Sequence, residues 1–248
     1  MKIFDVGMYD GADTAYYLRH AHTVVAIEAN PELCENAKQK FSAAIRSGTL
    51  VILNVAIGSD KWVDLTISRE DLGSSSIYAE RIAHRSPGSS YRVRATTLPE
   101  LIREHGQPDF IKIDIEGADR ECVLSLSQEI APEYVSFEAP HEITELITHL
   151  SSIGYSRFKA IQQTCFRSLR RQELIRDRIM RKFIRLMGYD EPRCAWRHGE
   201  SFVLGHSAGP APWESDGRFH HAQRMIAEWE SAKAHGLLSG WYDIHVAR

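Results

Sequence analysis

The chain has 248 residues, of which 43% are apolar and 25% charged, and a net charge of −3. That length suits one elaborated α/β domain better than two independent ones, and the balance of charge gives no general drive toward nucleic acid or an anionic membrane. Cys34, Cys122, Cys165 and Cys194 are scattered without a CxxC pair or zinc spacing, so they read as reduced thiols in a cytoplasmic protein.

Residues 2–6 read as a short buried strand, which is expected to leave no room for a signal peptide, and no apolar run approaches a membrane span. Residues 7–11 then form a tight turn, 12–20 a helix, and 23–27 a second strand closed by Glu28. A helix over 31–46 is opened by Asn30-Pro31, a cap followed by proline at the first helical position. Residues 49–54 are a third strand, and 63–67 and 91–96 are extended on either side of a serine- and glycine-rich stretch. Helix 98–105, strand 109–113, helix 120–127, strand 134–138, helix 143–152 and strand 155–161 follow. Such alternation predicts a parallel sheet with helices on both faces.

Beyond this the rhythm changes. Residues 169–187 are a candidate helix with Ile175, Ile179 and Phe183 on one side and Arg171, Arg178, Lys182 and Arg185 on the other. Two readings stay open, a solvated face over an apolar stripe and a docking helix for an anionic substrate. Residues 201–205 look like a final strand, and an irregular tail with one helix over 222–235 closes the chain.

Two clusters carry the chemistry. In the first, Asp5-x-Gly7-x-x-x-Gly11 sits between a strand and a helix, where backbone N–H groups converge on a ligand. Glycine is needed twice, because a Cβ would block both the turn and the ligand's approach. Glu28, closing the neighbouring strand, can accept hydrogen bonds from both hydroxyls of a ribose. Dinucleotide-binding turns usually read Gly-x-Gly-x-x-Gly. Here Asp5, Asp10 and Asp13 would repel a pyrophosphate and suit a ligand with an ammonium and a sulfonium, as in S-adenosylmethionine. In the second cluster, residues 109–118, an apolar strand ends in Asp114-x-Glu116-Gly117 and delivers two carboxylates to the sheet edge where α/β folds bind ligands. Capping of the next helix is the alternative role for these acids.

These runs, with Ala26-Ile27-Glu28-Ala29-Asn30-Pro31, Asn54-Val55-Ala56-Ile57-Gly58, Gly73-Ser74-Ser75-Ser76-Ile77 and Thr96-Thr97-Leu98, resemble the FkbM-type S-adenosylmethionine-dependent methyltransferases over roughly residues 3–140. The resemblance implies a doubly wound class I methyltransferase (Rossmann-like) fold with seven strands, the last antiparallel. The domain would run over 1–207, with a helical insertion at about 165–192 and a C-terminal extension, 208–248, packed on it. It further implies that the first turn, with Asp5, Gly7 and Gly11, holds the methionyl part of the cofactor. Glu28 would take the ribose, Asn54 and Ala56 would surround the adenine, and Asp114 with Glu116 would lie near the amino group. The family is associated with O-methylation of sugars and natural products. Tyr9 and Asp10 depart from its usual turn, and a covering N-terminal helix is missing, so closure by a second subunit in a homo-oligomer is one expectation.

In-line transfer to an oxygen benefits from a general base. Candidates are His141 and Glu138 after the fifth core strand, and the Asp114/Glu116 pair, ahead of His84, His198, His220 and His245. The same acids could hold a divalent metal, although no ligand spacing demands one. The expected acceptor is a small-molecule hydroxyl. Rival readings are an NAD-dependent oxidoreductase and a binding protein that keeps the fold and transfers nothing.

Overall fold

The computed structural model describes residues 1–68, 75–78, 87–169, 179, 194–197, 199–204, 207–238 and 240–248. They form two compact units, Met1–Phe137 and Glu138–Arg248.

The first unit opens with β1 (Lys2–Val6), whose Ile3, Phe4 and Val6 are fully buried. Such runs, apolar on both faces, are what a covered parallel sheet requires. Helix α1 (Ala12–Tyr17) leads to β2 (Thr23–Glu28). The expected helix over 31–46 is two helices, α2 (Pro31–Lys40) and α3 (Ser42–Arg46), broken at Phe41. The Asn30 carboxamide caps α2 by accepting from the Glu32 amide at 3.0 Å, with Pro31 in the first turn. After β3 (Leu50–Asn54) come β4 (Ala56–Ile57), β5 (Trp62–Ser68) and β6 (Pro87–Thr96), then α4 (Leu98–His105), which Thr97 and Glu100 start with a capping box. Strand β7 (Phe110–Ile113), α5 (Asp119–Leu124) and β8 (Tyr134–Glu138) complete the core, β8 ending one residue past the unit's border.

The core order is β8-β7-β1-β2-β3, with every neighbouring pair parallel. The chain therefore winds outward from β1 through β2 and β3 on one side, then returns to build β7 and β8 on the other. That is the doubly wound α/β topology expected from the alternation, and its switch point lies between β1 and β7. Strands β4, β6 and β5 form a separate small sheet around Ala56, Leu65, Ile67, Val93 and Ala95.

The second unit holds α6 (Thr144–Ser152), β9 (Arg157–Gln162), the short β10 (Arg167–Ser168), the hairpin β11 (Cys194–Arg197) and β12 (Glu200–Val203), α7 (Ala222–Ala234) and β13 (Tyr242–Ala247). The strand expected over 201–205 is not the final one: among the described residues β12 pairs with β11 in a two-stranded sheet. The last strand is β13, antiparallel to β9 along its whole length. Residues 208–248, expected to pack on the domain as an extension, thus contribute a strand to the sheet containing β9, and the compact units divide after Phe137. The basic residues Arg171, Arg178, Lys182 and Arg185, and most of the expected insertion, lie outside the described residues. Within that stretch Ile179 is helical and 65% exposed. Among the described residues no helix is long and apolar enough to cross a membrane.

Every residue of β13 is buried, including Asp243 and His245. His245 faces Lys159 across the β13–β9 ladder, and its Nδ1 pairs with the Ser215 hydroxyl at 2.7 Å. Lys159 donates to the Ser215 carbonyl at 2.7 Å and lies over the Phe219 ring at 4.3 Å. Burial, reinforced by the Lys159 charge, holds the His245 imidazole well below its ordinary 6.5. Burial also brings Lys159 down to about 8, against the opposing pull of Asp216. The unfolded chain thus binds a proton at His245 before the folded one does. Stability from this group is complete above pH 6.5 and is lost as pH falls below that value toward the folded pKa. Urea midpoints measured from pH 7.5 down to 5.5 should therefore fall more steeply for the wild type than for His245→Gln; parallel curves would refute the neutral buried imidazole.

Candidate cofactor site at the switch point

Gly7 begins the turn after β1 with φ of +85°, a region glycine enters without strain. A Cβ there would lie 1.7 Å from the Asp114 carbonyl oxygen. Glycine is thus required because the backbone after β7 occupies that space, a reason different from the ligand approach expected from sequence. The amides of Gly7 and Met8 both donate to the Ile27 carbonyl, at 2.9 and 3.0 Å, which ties the turn to β2. Gly11, at φ of +76°, precedes α1, and a Cβ on it would meet the Phe41 ring at 2.6 Å. Between them Tyr9 adopts a left-handed φ of 52°. In that conformation its amide donates to Glu28 Oε2 at 2.9 Å.

Glu28 is held from both sides, since Oε1 accepts from the Asn30 amide at 2.8 Å. Burial raises its carboxyl pKa, while the Asn30 and Tyr9 amides oppose that rise. Each carboxylate oxygen has a second lone pair for a hydroxyl. Asn54, the cross-strand partner of Glu28, donates its amide to the Glu28 and Ala29 carbonyls at 3.0 Å each. Ala56, two residues on, is buried in the small sheet's core.

The acids of the turn do not stand together at its mouth, as the charge reading supposed. Asp10 is exposed and accepts from the Ala12 amide at 2.9 Å. Asp5 and Asp13 are buried and turn toward Lys112, a β7 residue that sequence reasoning passed over. Lys112 Nζ lies 3.5 Å from Asp5 Oδ1, 3.6 Å from Asp114 Oδ2 and 4.0 Å from Asp13 Oδ2. It also donates to the Gly7 carbonyl at 2.7 Å. Asp5 Oδ2 accepts from the Thr14 hydroxyl at 2.5 Å. Burial raises the Asp5 pKa, with Lys112 and then Thr14 pulling the other way. A lysine inside an otherwise apolar strand was the available signal, because an unpaired buried charge is too costly to keep.

After β7, the Asp114 side chain is 31% exposed and Glu116 takes a left-handed φ of 48°. Asp119 holds this turn, its two oxygens accepting from the Ile115 and Gly117 amides at 3.0 Å each. The capping role weighed for these acids is not seen: α5 has no side-chain cap, and Asp119, in its first turn, spends both oxygens on the loop before it. The Ser76 hydroxyl donates to the Glu116 carbonyl at 2.7 Å, which places the serine run against the acidic turn; residues 73 and 74 of that run lie outside the described ones. The structure therefore brings Gly7, Gly11, Glu28, Asn54, Asp114 and Glu116 to the carboxyl ends of β1, β2, β3 and β7, with Asp5 behind them.

Glu138, His141 and His245 belong to the second unit. Glu138 is the last residue of β8. The His141 side chain is 75% exposed, with Nδ1 3.1 Å from Glu142 Oε1, and Glu142 also binds Lys233. His245 is committed to Ser215, and His84 and His198 lie outside the described residues. Among the described residues no group of three or more His, Cys, Asp or Glu side chains is arranged to hold a metal ion.

The two glycines should respond differently to alanine. At Gly7 the new methyl meets backbone, so Gly7→Ala should cost at least ~3 kcal/mol or prevent folding. Gly11→Ala meets a ring that can shift and should cost about 1–2 kcal/mol, part of it recovered by Phe41→Leu. Urea denaturation of the three variants checks the order, and a Gly7→Ala protein as stable as Gly11→Ala would contradict the contact.

Among curated proteins none matches the sequence. The chain is similar to a solved structure described as methyltransferase FkbM from Methylobacillus flagellatus KT, at 16% identity and a TM-score of 0.37, over 62% of this chain and 38% of that one. It is also similar to a precorrin-6y C5,15-methyltransferase from Geobacter metallireducens GS-15 (11% identity, TM-score 0.39, 65% and 70% covered). A third similar structure is the O-methyltransferase region of StiE (10% identity, TM-score 0.44, 100% and 67% covered). Residues 5–157, which include β1, the glycine turn, Glu28 and the Asp114 turn, match the family described as the methyltransferase FkbM domain, and the chain belongs to that family.

Proposed function

We propose that the protein is an S-adenosylmethionine-dependent methyltransferase that acts on a hydroxyl of a small molecule such as a sugar or natural product. The observation that carries this reading is the pair of carboxylates flanking the Gly7 turn. Glu28 closes β2, Asp114 follows β7, and the charge of Lys112, the cation beside them, is shared among Asp114 and the buried Asp5 and Asp13, so the carboxylates outnumber it. That pair of acceptors suits a ribose diol and an ammonium and disfavours a pyrophosphate. S-adenosylmethionine would supply an electrophilic methyl group on its sulfonium.

The chain's own residues bind and align. Glu28 would accept the ribose hydroxyls and Asp114 would receive the amino group, while the glycine turn, whose Gly7, Met8, Tyr9 and Gly11 amides are spent on the protein itself, would fix the spacing between them. Asn54 and the backbone at Ala56 border the adenine, and Glu116 adds negative charge beside Asp114. For the acceptor's proton the reading assigns His141, with Glu138 as the second candidate. Glu142 on one ring nitrogen leaves the other to act as base. An anionic acceptor fits the basic residues Arg171, Arg178, Lys182 and Arg185, and the scattered cysteines fit a cytoplasmic enzyme.

Calorimetric titration with S-adenosylhomocysteine and with NAD tests the cofactor. The first should bind and the second should not. Glu28→Ala should weaken S-adenosylhomocysteine binding about ten- to a hundredfold, a loss of roughly 1.5–3 kcal/mol. An unchanged dissociation constant in the folded variant would remove Glu28 from the site. For catalysis, labelled methyl transfer to a hydroxyl library should find the acceptor, and His141→Ala should then lower turnover by about 10² while cofactor affinity stays constant.

A further inference from the structure

Lys112 is almost completely buried, yet it stands in a strand whose other side chains are Phe110, Ile111 and Ile113. Burying an ammonium is costly unless it is paired and hydrogen-bonded. Here one N–H reaches the Gly7 carbonyl, and three carboxylates gather within 4.0 Å: Asp5, Asp114 and Asp13. Two of them are buried with it, whereas Asp114 lies partly open at the strand end. Asp5 Oδ1 has no hydrogen bond among the described residues and faces the ammonium. The lysine thus joins the start of the glycine turn, after β1, to the first acid after β7.

We propose that Lys112 is the positioning residue of the site: from inside β7 it fixes the Gly7 carbonyl and the Asp114 carboxylate in one geometry, and so governs how tightly the amino-acid end of the cofactor is held. It does not govern the nucleoside end, which depends on Glu28 and its two backbone donors. This inference rests on the S-adenosylmethionine reading above. Two effects of the lysine oppose each other. As a positive charge it repels the ligand's ammonium, whereas as an anchor it holds the carboxylate that receives it. The lysine is fixed by its hydrogen bond to the Gly7 carbonyl and pairs with Asp114 at 3.6 Å, and this anchoring has the larger effect, because a carboxylate released beside Asp5 and Asp13 would be driven outward by like charge.

The test compares S-adenosylhomocysteine, which carries the amino-acid group, with 5′-methylthioadenosine, which lacks it. Dissociation constants are measured for the wild type, Lys112→Met, Asp114→Asn and the double variant Lys112→Met/Asp114→Asn. Since Lys112→Met strands Asp5 in the interior, which threatens folding, Lys112→Met/Asp5→Asn removes the buried pair together. The expected result is an approximately tenfold loss of S-adenosylhomocysteine affinity in the Lys112 variants, with 5′-methylthioadenosine held within about twofold. On the Asp114→Asn background, Lys112→Met should add little, because the lysine acts through that carboxylate. Equal loss for both ligands would reduce Lys112 to general support of the fold and overturn the proposal. So would unchanged or tighter S-adenosylhomocysteine binding, which would leave only the nearby charge. A wild type that binds neither ligand would instead defeat the cofactor reading, and the proposal with it.

Discussion

Two strand ends meet at residue 7, and the contact between them governs the first unit's architecture. The Asp114 carbonyl oxygen occupies the place where a side chain on that residue would begin. Val6 and Ile113 are cross-strand partners, and the Asp114 amide donates to the Val6 carbonyl at 2.9 Å, so β1 and β7 stay in register to their last residues. The chain can leave β1 so close to β7 only through a residue without Cβ and with a positive φ. That proximity sits where the winding of the sheet reverses, the position at which open α/β sheets leave a crevice. One backbone contact thereby decides which side chains share the crevice's floor: Lys112 and Asp114 from one strand, and Asp5 and the glycine turn from the other.

Chemically similar carboxylates acquire distinct tasks around that floor, and burial with hydrogen bonding sorts them. Asp5, enclosed and bonded to Thr14, serves the interior against Lys112. Asp119 receives two backbone amides and keeps the turn after β7 closed, although burial and then Asp114 push its pKa upward. Glu28 also receives two amides, but at a strand end, on the Gly7 turn and on the start of α2. Left-handed residues mark both turns, Tyr9 after β1 and Glu116 after β7. Such conformations cost free energy on non-glycine residues and persist where neighbouring bonds over-determine them. The Glu28 carboxylate does so for Tyr9, and Asp119 with Ser76 does so for the turn containing Glu116.

Much of this was legible in the residues. Apolar runs with no alternation, such as Ile3-Phe4 and Val24-Val25-Ala26-Ile27, announce parallel strands covered on both faces, and the core strands fall within a residue or two of their expected places. Asn30-Pro31 and Thr97-Leu98-Pro99-Glu100 mark helix starts through local bonding alone. Side-chain direction was harder to read. Asp5 and Asp13 look like surface acids in a glycine-rich turn, and only the register of β1 against β7 turns them onto Lys112. The break at Phe41 was hidden as well, since no proline or glycine marks it and its ring packs where Gly11 leaves room.

Strand β13 shows the same limit in the second unit. Tyr242, Ile244 and Val246 alternate with Asp243, His245 and Ala247, a pattern that normally predicts one dry and one wet face. Both faces are dry here because the polar residues have partners distant in sequence. Gln163 donates to Asp243 at 3.0 Å, and Ser215 meets His245. Two bases directly opposite each other across a ladder would ordinarily repel, and the fold accommodates them by keeping the imidazole neutral and giving the ammonium the Ser215 carbonyl and the Phe219 ring. Ser215 thus uses its hydroxyl on one base and its carbonyl on the other, which fixes its backbone from two directions. Five residues later His220 exchanges backbone hydrogen bonds of 2.7 Å with Phe158. A segment without regular secondary structure is held in place by the polar face it covers, and that face stays dry only while the segment remains there.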